Sequence, residues 1–257
     1  IIMRTLTLLV AFLLLAPQAS YAFIDVGTFT ESLDLMEQEL SGDETGLNSL
    51  LEDLESAAEE SGASDNYLTF KRSGEDITFW DVEKSAWFYS SILSLVELGI
   101  VSGKEDNSGK IIGYDPGGNV SRPAALKMSL LSAGVDTDAC GTPERKDARE
   151  HWAASFVACS EKMDLGLGGR TLNASATRAE VLHYTLKAFE IEAPEGNPPF
   201  SDSTSHEYKN DIAYGYALGI ISGDKKSDGT PKGTFRPNDS VNRAEVAKIV
   251  KLAIEKL

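Results

Sequence analysis

The sequence predicts a mainly α fold in which three copies of a helix–loop–helix unit close into one pseudo-threefold body. Two observations predict it. A block of aromatic, glycine and arginine positions recurs at fixed intervals, and every copy carries apolar stripes at helical spacing that it cannot bury alone. Length and composition allow such a body: 257 residues, 42% apolar and 25% charged, suffice for one large domain or two small ones with a core. Two cysteines are too few for a disulfide-built scaffold or a four-cysteine zinc site, so packing must hold the fold.

At the N-terminus, Arg4 precedes an apolar run from Leu6 to Ala16 with only Thr7 polar, followed by Pro17 and Ser20-Tyr21-Ala22. That order predicts a secretory signal peptide over residues 1–22, cut after Ala22. A membrane anchor is the competing reading, but the run is about half of the roughly twenty apolar residues that a span needs. The expectation is an exported chain without a transmembrane segment. Residues 23–76 then hold fifteen Asp and Glu against Lys71 and Arg72, a large part of the net charge of -16. No clustered basic face offsets it, which excludes electrostatic nucleic-acid binding. Leu33, Leu35, Met36 and Leu40, then Leu47, Leu50, Leu51, Leu54 and Ala58, fit two short amphipathic helices. This acidic leader reads either as a docking or self-association element or as a solvated spacer.

The repeats occupy residues 77–137, 138–195 and 196–257. The first copy runs Phe79-Trp80-Asp81, Trp87, Leu98 to Gly103, Tyr114-Asp115-Pro116 and Ser121-Arg122-Pro123-Ala124; the third runs Phe200-Ser201-Asp202, Tyr208, Leu218 to Gly223, Phe235-Arg236-Pro237 and Asn242-Arg243-Ala244-Glu245. Phe79 to Arg122 and Phe200 to Arg243 both span 43 positions. The middle copy is degenerate. It keeps His151-Trp152 and Thr177-Arg178-Ala179-Glu180, but Trp152 and Arg178 stand 26 apart where the other copies have 35.

In each copy a first helix shows apolar spacing, with Ile92, Leu95 and Val96 in one case and Ile212, Ala213 and Tyr216 in another. Gly99 and Gly219 fit the left-handed residue that stops it. The second helix opens on an N-cap at Ser121, Thr177 or Asn242, and Glu180 and Glu245 complete capping boxes, the only role predicted for them. Its apolar stripe follows, as in Val246, Ile249, Val250 and Ala253.

These motifs, repeated over about 70% of the chain, closely resemble the surface-layer homology (SLH) domain. The resemblance implies a three-pronged spindle around a central helix bundle, and anchoring of an exported protein to cell-wall polysaccharide, in many cases a pyruvylated secondary polymer. It implies glycan contacts from Arg122, Arg178 and Arg243, from Asp81 and Asp202, from Trp87, Trp152 and Tyr208, and from Gly103, Gly219 and Gly223. The chemistry is consistent: a helix N-terminus favours an anion, and guanidinium grips a carboxylate in two places. Other readings stand beside this. Trp87 and Trp152 could equally be core aromatics, Asp81 and Asp202 caps of the first helices, and Cys140 and Cys159 either a disulfide or two buried thiols.

Little supports catalysis. His151, His183 and His206 lie at unrelated positions, and Asp224 to Gly229 begins like a calcium loop but has Lys226 and Phe235 at ligand positions. No metal, cofactor or placed carboxylate pair is predicted. The function expected is non-catalytic anchoring to an anionic wall glycan; the rival is an envelope or S-layer assembly protein whose repeats contact other proteins, with the leader as a further contact.

Overall fold

Leu68 and Phe70 alternate with Thr69 and Lys71, and Ser73-Gly74 separates them from Phe79 and Val82, a strand–turn–strand pattern. In the computed structural model, which describes residues 66–257, this stretch is an antiparallel hairpin of β1 (Tyr67–Arg72) and β2 (Glu75–Glu83). Ser73 and Gly74 both have positive φ, 55° and 91°, as a tight two-residue hairpin turn requires. Leu68, Phe79 and Val82 are fully buried, while Thr69 and Thr78 hydrogen-bond across the outer face at 2.9 Å. The predicted boundary of the acidic leader at residue 76 therefore falls inside a strand. The signal peptide and both leader helices lie outside the described residues.

The remaining elements are α1 (Tyr89–Glu97), a short hairpin of β3 (Lys104–Glu105) and β4 (Ile111–Gly113), α2 (Arg122–Ser132), α3 (Ala154–Lys162), α4 (Arg178–Ala188), α5 (Lys209–Ala217) and α6 (Arg243–Lys256). Helix makes up 36% and extended structure 15%, so the fold is not clearly mainly α. The difference lies in the hairpins, which helical periodicity does not detect. Gly99 and Gly219 do take left-handed conformations, at φ 70° and 74°.

Helices α2, α4 and α6 pack on one another, and each carries one outer helix: α3 on α2, α5 on α4 and α1 on α6. A first helix thus packs on the second helix of the preceding copy, and the first copy's α1 closes the series on the third copy's α6. Every residue of α4 except Lys187 is buried. Two of its polar members are compensated: Thr185 meets Ser129 of α2 at 3.0 Å, and His183 Nδ1 lies 2.6 Å from Asp211 of α5, whereas the buried Tyr184 hydroxyl has no hydrogen-bond partner among the described residues. The helices enter as the caps dictate. Thr177–Glu180 and Asn242–Glu245 form complete capping boxes. Ser121 makes no side-chain cap bond, contrary to its expected role, and Ala124 gives no reciprocal carboxylate.

Just before these helices, three backbone segments join in a ring. Ala176 N–H donates to Val120 O at 2.8 Å, Val120 N–H to Val241 O at 3.0 Å, and Val241 N–H to Ala176 O at 3.1 Å. A second set repeats the cycle outside it, from Arg122 N–H to Ala174 O, Arg178 N–H to Asp239 O and Arg243 N–H to Gly118 O. Val120, Ala176 and Val241 are buried, so their amides have no water to fall back on.

Cys140 and Cys159 form a disulfide, 19 positions apart, that ties the turn after α2 to α3. In the chain-entropy account a bridge of this span restricts the unfolded chain by about 3 kcal/mol. Replacing both cysteines by serine should lower the unfolding free energy by about that much, read as a shift of the urea midpoint. An unmoved midpoint would mean that the bridge constrains nothing.

Candidate functional site

The arginine that opens each central helix reaches across into the loop of the next copy. Arg178 Nε–H donates to Phe235 O at 2.9 Å, with its guanidinium 4.9 Å from the Phe235 ring. Arg243 Nε–H donates to Tyr114 O at 2.7 Å, its guanidinium 4.5 Å from the Tyr114 ring. Tyr114 returns a bond from its hydroxyl to Arg243 O, and burial pushes that hydroxyl up to about 12, against the influence of Arg243, so it remains a donor. Arg122 instead meets Thr171 O at 3.0 Å and both carboxylate oxygens of Glu180 at 3.0 and 3.1 Å. Arg178 likewise pairs with Glu245 at 2.7 Å. Glu180 and Glu245 therefore hold the preceding copy's arginine as well as capping their helices, a role beyond the one predicted. The signal was available: with Arg at the first helical position and Glu two residues on, neighbouring copies can pair.

Of the three arginines, Arg178 lines a groove. Under Arg178 the groove is an open cavity of about 450 Å³ lined by Trp87, Gly223, Arg236, Glu245 and Lys248 among others. Trp87 is 58% exposed, and Lys248 Nζ lies 5.7 Å from its ring. At the corresponding place on α4, His183 stacks on Tyr208 with centroids 4.1 Å apart. Arg170 joins that cluster, binding Glu180 at 3.2 Å, Glu207 at 2.7 Å and the Tyr208 hydroxyl at 3.1 Å. Trp152 is 59% exposed on the turn into α3. Both tryptophans thus belong to the surface, and Tyr208 is half-buried in a polar cluster.

The other predicted contacts have structural tasks. Asp81 accepts from the N–H groups of Tyr114 and Asp115 at 2.9 and 2.6 Å; Asp202 accepts from those of Phe235 and Arg236 at 3.0 and 2.9 Å. They clamp the turns in which Asp115 and Arg236, both at φ 59°, take a left-handed conformation, and they cap no helix. In the middle copy the clamp has the opposite polarity, with Arg145 donating to Gly168 O and Arg170 O at 3.1 Å. Gly103 and Gly223 have a packing reason of their own: a Cβ at either would collide with the ring of Phe79 or Phe200. Gly219 has open space beside it and serves the helix stop.

Partial burial acts to raise the Asp202 carboxyl, but the Arg236 and Phe235 amides and the Ser203 hydroxyl outweigh it and hold the group below its ordinary value. A depressed carboxylate stabilises the fold fully above its unfolded value, near 3.8, and that contribution disappears as pH falls through the lower folded value. Asp202→Asn should therefore be less stable at neutral pH and lose less on acidification. Urea midpoints at pH 7 and pH 3 check this, and parallel losses in the two proteins would refute it.

Fold and site together define a class: helix pairs packed on one another, with a groove lined by cationic and aromatic side chains. A family model described as the S-layer homology domain matches residues 78–124 and 199–247, the core of the first and third copies. The chain is 26% identical over 188 residues to S-layer protein EA1 of Bacillus anthracis, covering 70% of this chain and 20% of that protein. It is 28% identical over 192 residues to an S-layer protein of Bacillus licheniformis, with the same two shares. It is 29% identical over 209 residues to exoglucanase XynX of Acetivibrio thermocellus, covering 76% of this chain and 18% of that one. The chain thus spans at most a fifth of these relatives. Among the described residues no helix is long and apolar enough to cross a membrane.

Proposed function

We propose that this chain is a non-catalytic module that holds an exported protein at the cell wall by binding an anionic, pyruvylated wall glycan. The observation that carries the reading is the groove that Arg178 and the exposed Trp87 line together. A ketal carboxylate needs the first and the apolar face of a sugar ring suits the second. The S-layer homology matches favour a place at the cell surface. So do the S-layer relatives and a further one, a cell wall amidase of Bacillus anthracis that is 28% identical. Relatives named as enzymes share only a small part of their length with this chain, which favours an anchoring rather than a catalytic role for the shared part.

On this reading the middle copy is a third, worn S-layer homology repeat, and the closed set of helix pairs is the three-pronged spindle. An alignment covering 70% of the chain cannot avoid the middle copy, which supports counting it. The acidic leader is then a docking element or spacer, and residues 1–22 direct export.

Co-sedimentation with native sacculi, and with sacculi stripped of their secondary polymer, tests the proposal. The purified chain should pellet with the native form alone, and Arg243→Ala should remove most of that binding with the fold kept. Binding to neither form would move the repeats to protein–protein assembly in the envelope, and equal binding to both would move the ligand from the secondary polymer to peptidoglycan.

A further inference from the structure

We propose that the second and third copies each carry an acid-sensitive clasp, in which a neutral histidine on the turn into the outer helix holds an asparagine on the segment leading to the backbone ring, and that the first copy has none. The turns into α1, α3 and α5 share one backbone form. Tyr89 N–H donates to Ala86 O at 3.0 Å, Ala154 N–H to His151 O at 3.0 Å and Lys209 N–H to His206 O at 3.1 Å. His151 and His206 thus occupy one position of the repeat, contrary to the expectation that their places are unrelated, and Ala86 fills it in the first copy. Their partners correspond as well. Asn173 and Asn238 precede Ala174 and Asp239, whose carbonyls accept from Arg122 and Arg178 in the outer cycle, and Gly117 precedes Gly118, the third such acceptor.

The hydrogen bonds fix the state of each ring. Ala153 N–H donates to His151 Nδ1 at 3.2 Å, and Tyr208 N–H to His206 Nδ1 at 3.1 Å. A backbone amide can only donate, so Nδ1 is the acceptor and the proton of the neutral ring sits on Nε2. Nε2 then donates to Asn173 Oδ1 at 3.0 Å and to Asn238 Oδ1 at 3.2 Å. A second proton would turn Nδ1 into a donor facing a donor, so the clasp exists only with the neutral imidazole. Histidine changes charge between about pH 5 and 8. In the unfolded chain the ring takes up that proton without losing these bonds, so each clasp contributes fully above that range and its contribution disappears as pH falls through it. Charged side chains border both clasps. Asp147 binds Arg145 through both carboxylate oxygens at 2.7 Å, and its carboxyl is held below the ordinary value chiefly by that arginine, with His151 a smaller influence. Glu150 precedes His151 and is exposed, where solvent and salt screen it. Glu207 follows His206 and is bound to Arg170 at 2.7 Å; Asp239 follows Asn238 and lies 3.4 Å from Arg236. Opening the clasps frees the turns that carry Trp152 and Tyr208 from the segments ahead of α4 and α6, while Trp87 stands on a turn that never had one.

The test removes the titrating rings. Urea midpoints are measured between about pH 7.5 and 5.5 for the unaltered chain and for the double variant His151→Gln, His206→Gln, with circular dichroism as the check on folding. Nitrogen-15 resonances of the imidazoles in the unaltered chain, at the upper pH, report which ring nitrogen carries the proton. The unaltered chain should lose roughly twice as much of its midpoint over that interval as the double variant. His183, bound to Asp211, is present in both chains and cancels from the comparison. His151 and His206 should both show the proton on Nε2. Equal losses in the two chains, or a proton on Nδ1 of either ring, would overturn the proposal, and the nitrogen resonances decide it even where the double variant fails to fold.

Discussion

Ala176→Pro should destabilise the protein by about 5 kcal/mol and leave it largely unfolded at ambient temperature. The substitution removes the N–H that donates to Val120 O at 2.8 Å and leaves that carbonyl in a site from which water is excluded. Loss of a ladder donor to proline costs about 3 kcal/mol, and an orphaned buried carbonyl a further 1–3. Neither neighbour can compensate, because Val120 and Val241 are already joined to each other in the same cycle. Ala176→Val, which keeps the amide, is the comparison. A proline variant whose thermal unfolding matched it would show that the ring contributes little.

The second large effect separates the arginines. Arg122→Ala should cost roughly 4 kcal/mol, because it leaves Glu180, whose side chain is 2% exposed, with Arg170 as its one remaining cationic partner beside the capping Thr177 N–H. Arg243→Ala should cost only about 1–2 kcal/mol, since no buried carboxylate depends on it and it loses a bond to Tyr114 O and a ring contact. Denaturant midpoints of the two variants check the contrast. Equal losses would mean that the Glu180 pair is no more structural than the Arg243 contact. The same motif letter thus has two roles: a brace on a carboxylate where the next copy offers glutamate, and, where it offers alanine, a cation held by Tyr114 with no carboxylate partner among the described residues.

Repetition made much of this legible in the sequence. The 43-position spacing gave the first and third copies, and the Thr177–Glu180 and Asn242–Glu245 signatures gave helix starts that the structure realises. The hairpin before the first copy was not read, although Leu68, Phe70 and Ser73-Gly74 carry its pattern, because the count of acids drew the boundary at residue 76. Functions assigned to single residues transferred less well. Asp81, Gly103 and Gly223 are constrained by backbone amides and aromatic rings that arrive from distant positions, and spacing along the chain does not report those. The second role of Glu180 and Glu245 needed knowledge of which copy neighbours which.

The cycle of hydrogen bonds before the central helices also bears on how the chain reaches its fold. A repeat array that stacks in a line can begin folding with its first units, but a ring has no finished edge until its last member arrives. Arg243 meets Tyr114 across 129 positions, and Val120 finds its acceptor only at Val241. Such distant contacts place a large loop-closure cost ahead of the pairing that offsets it, which slows folding. During synthesis the first copy must therefore wait, with α1 still lacking the helix on which it packs, until α6 has left the ribosome.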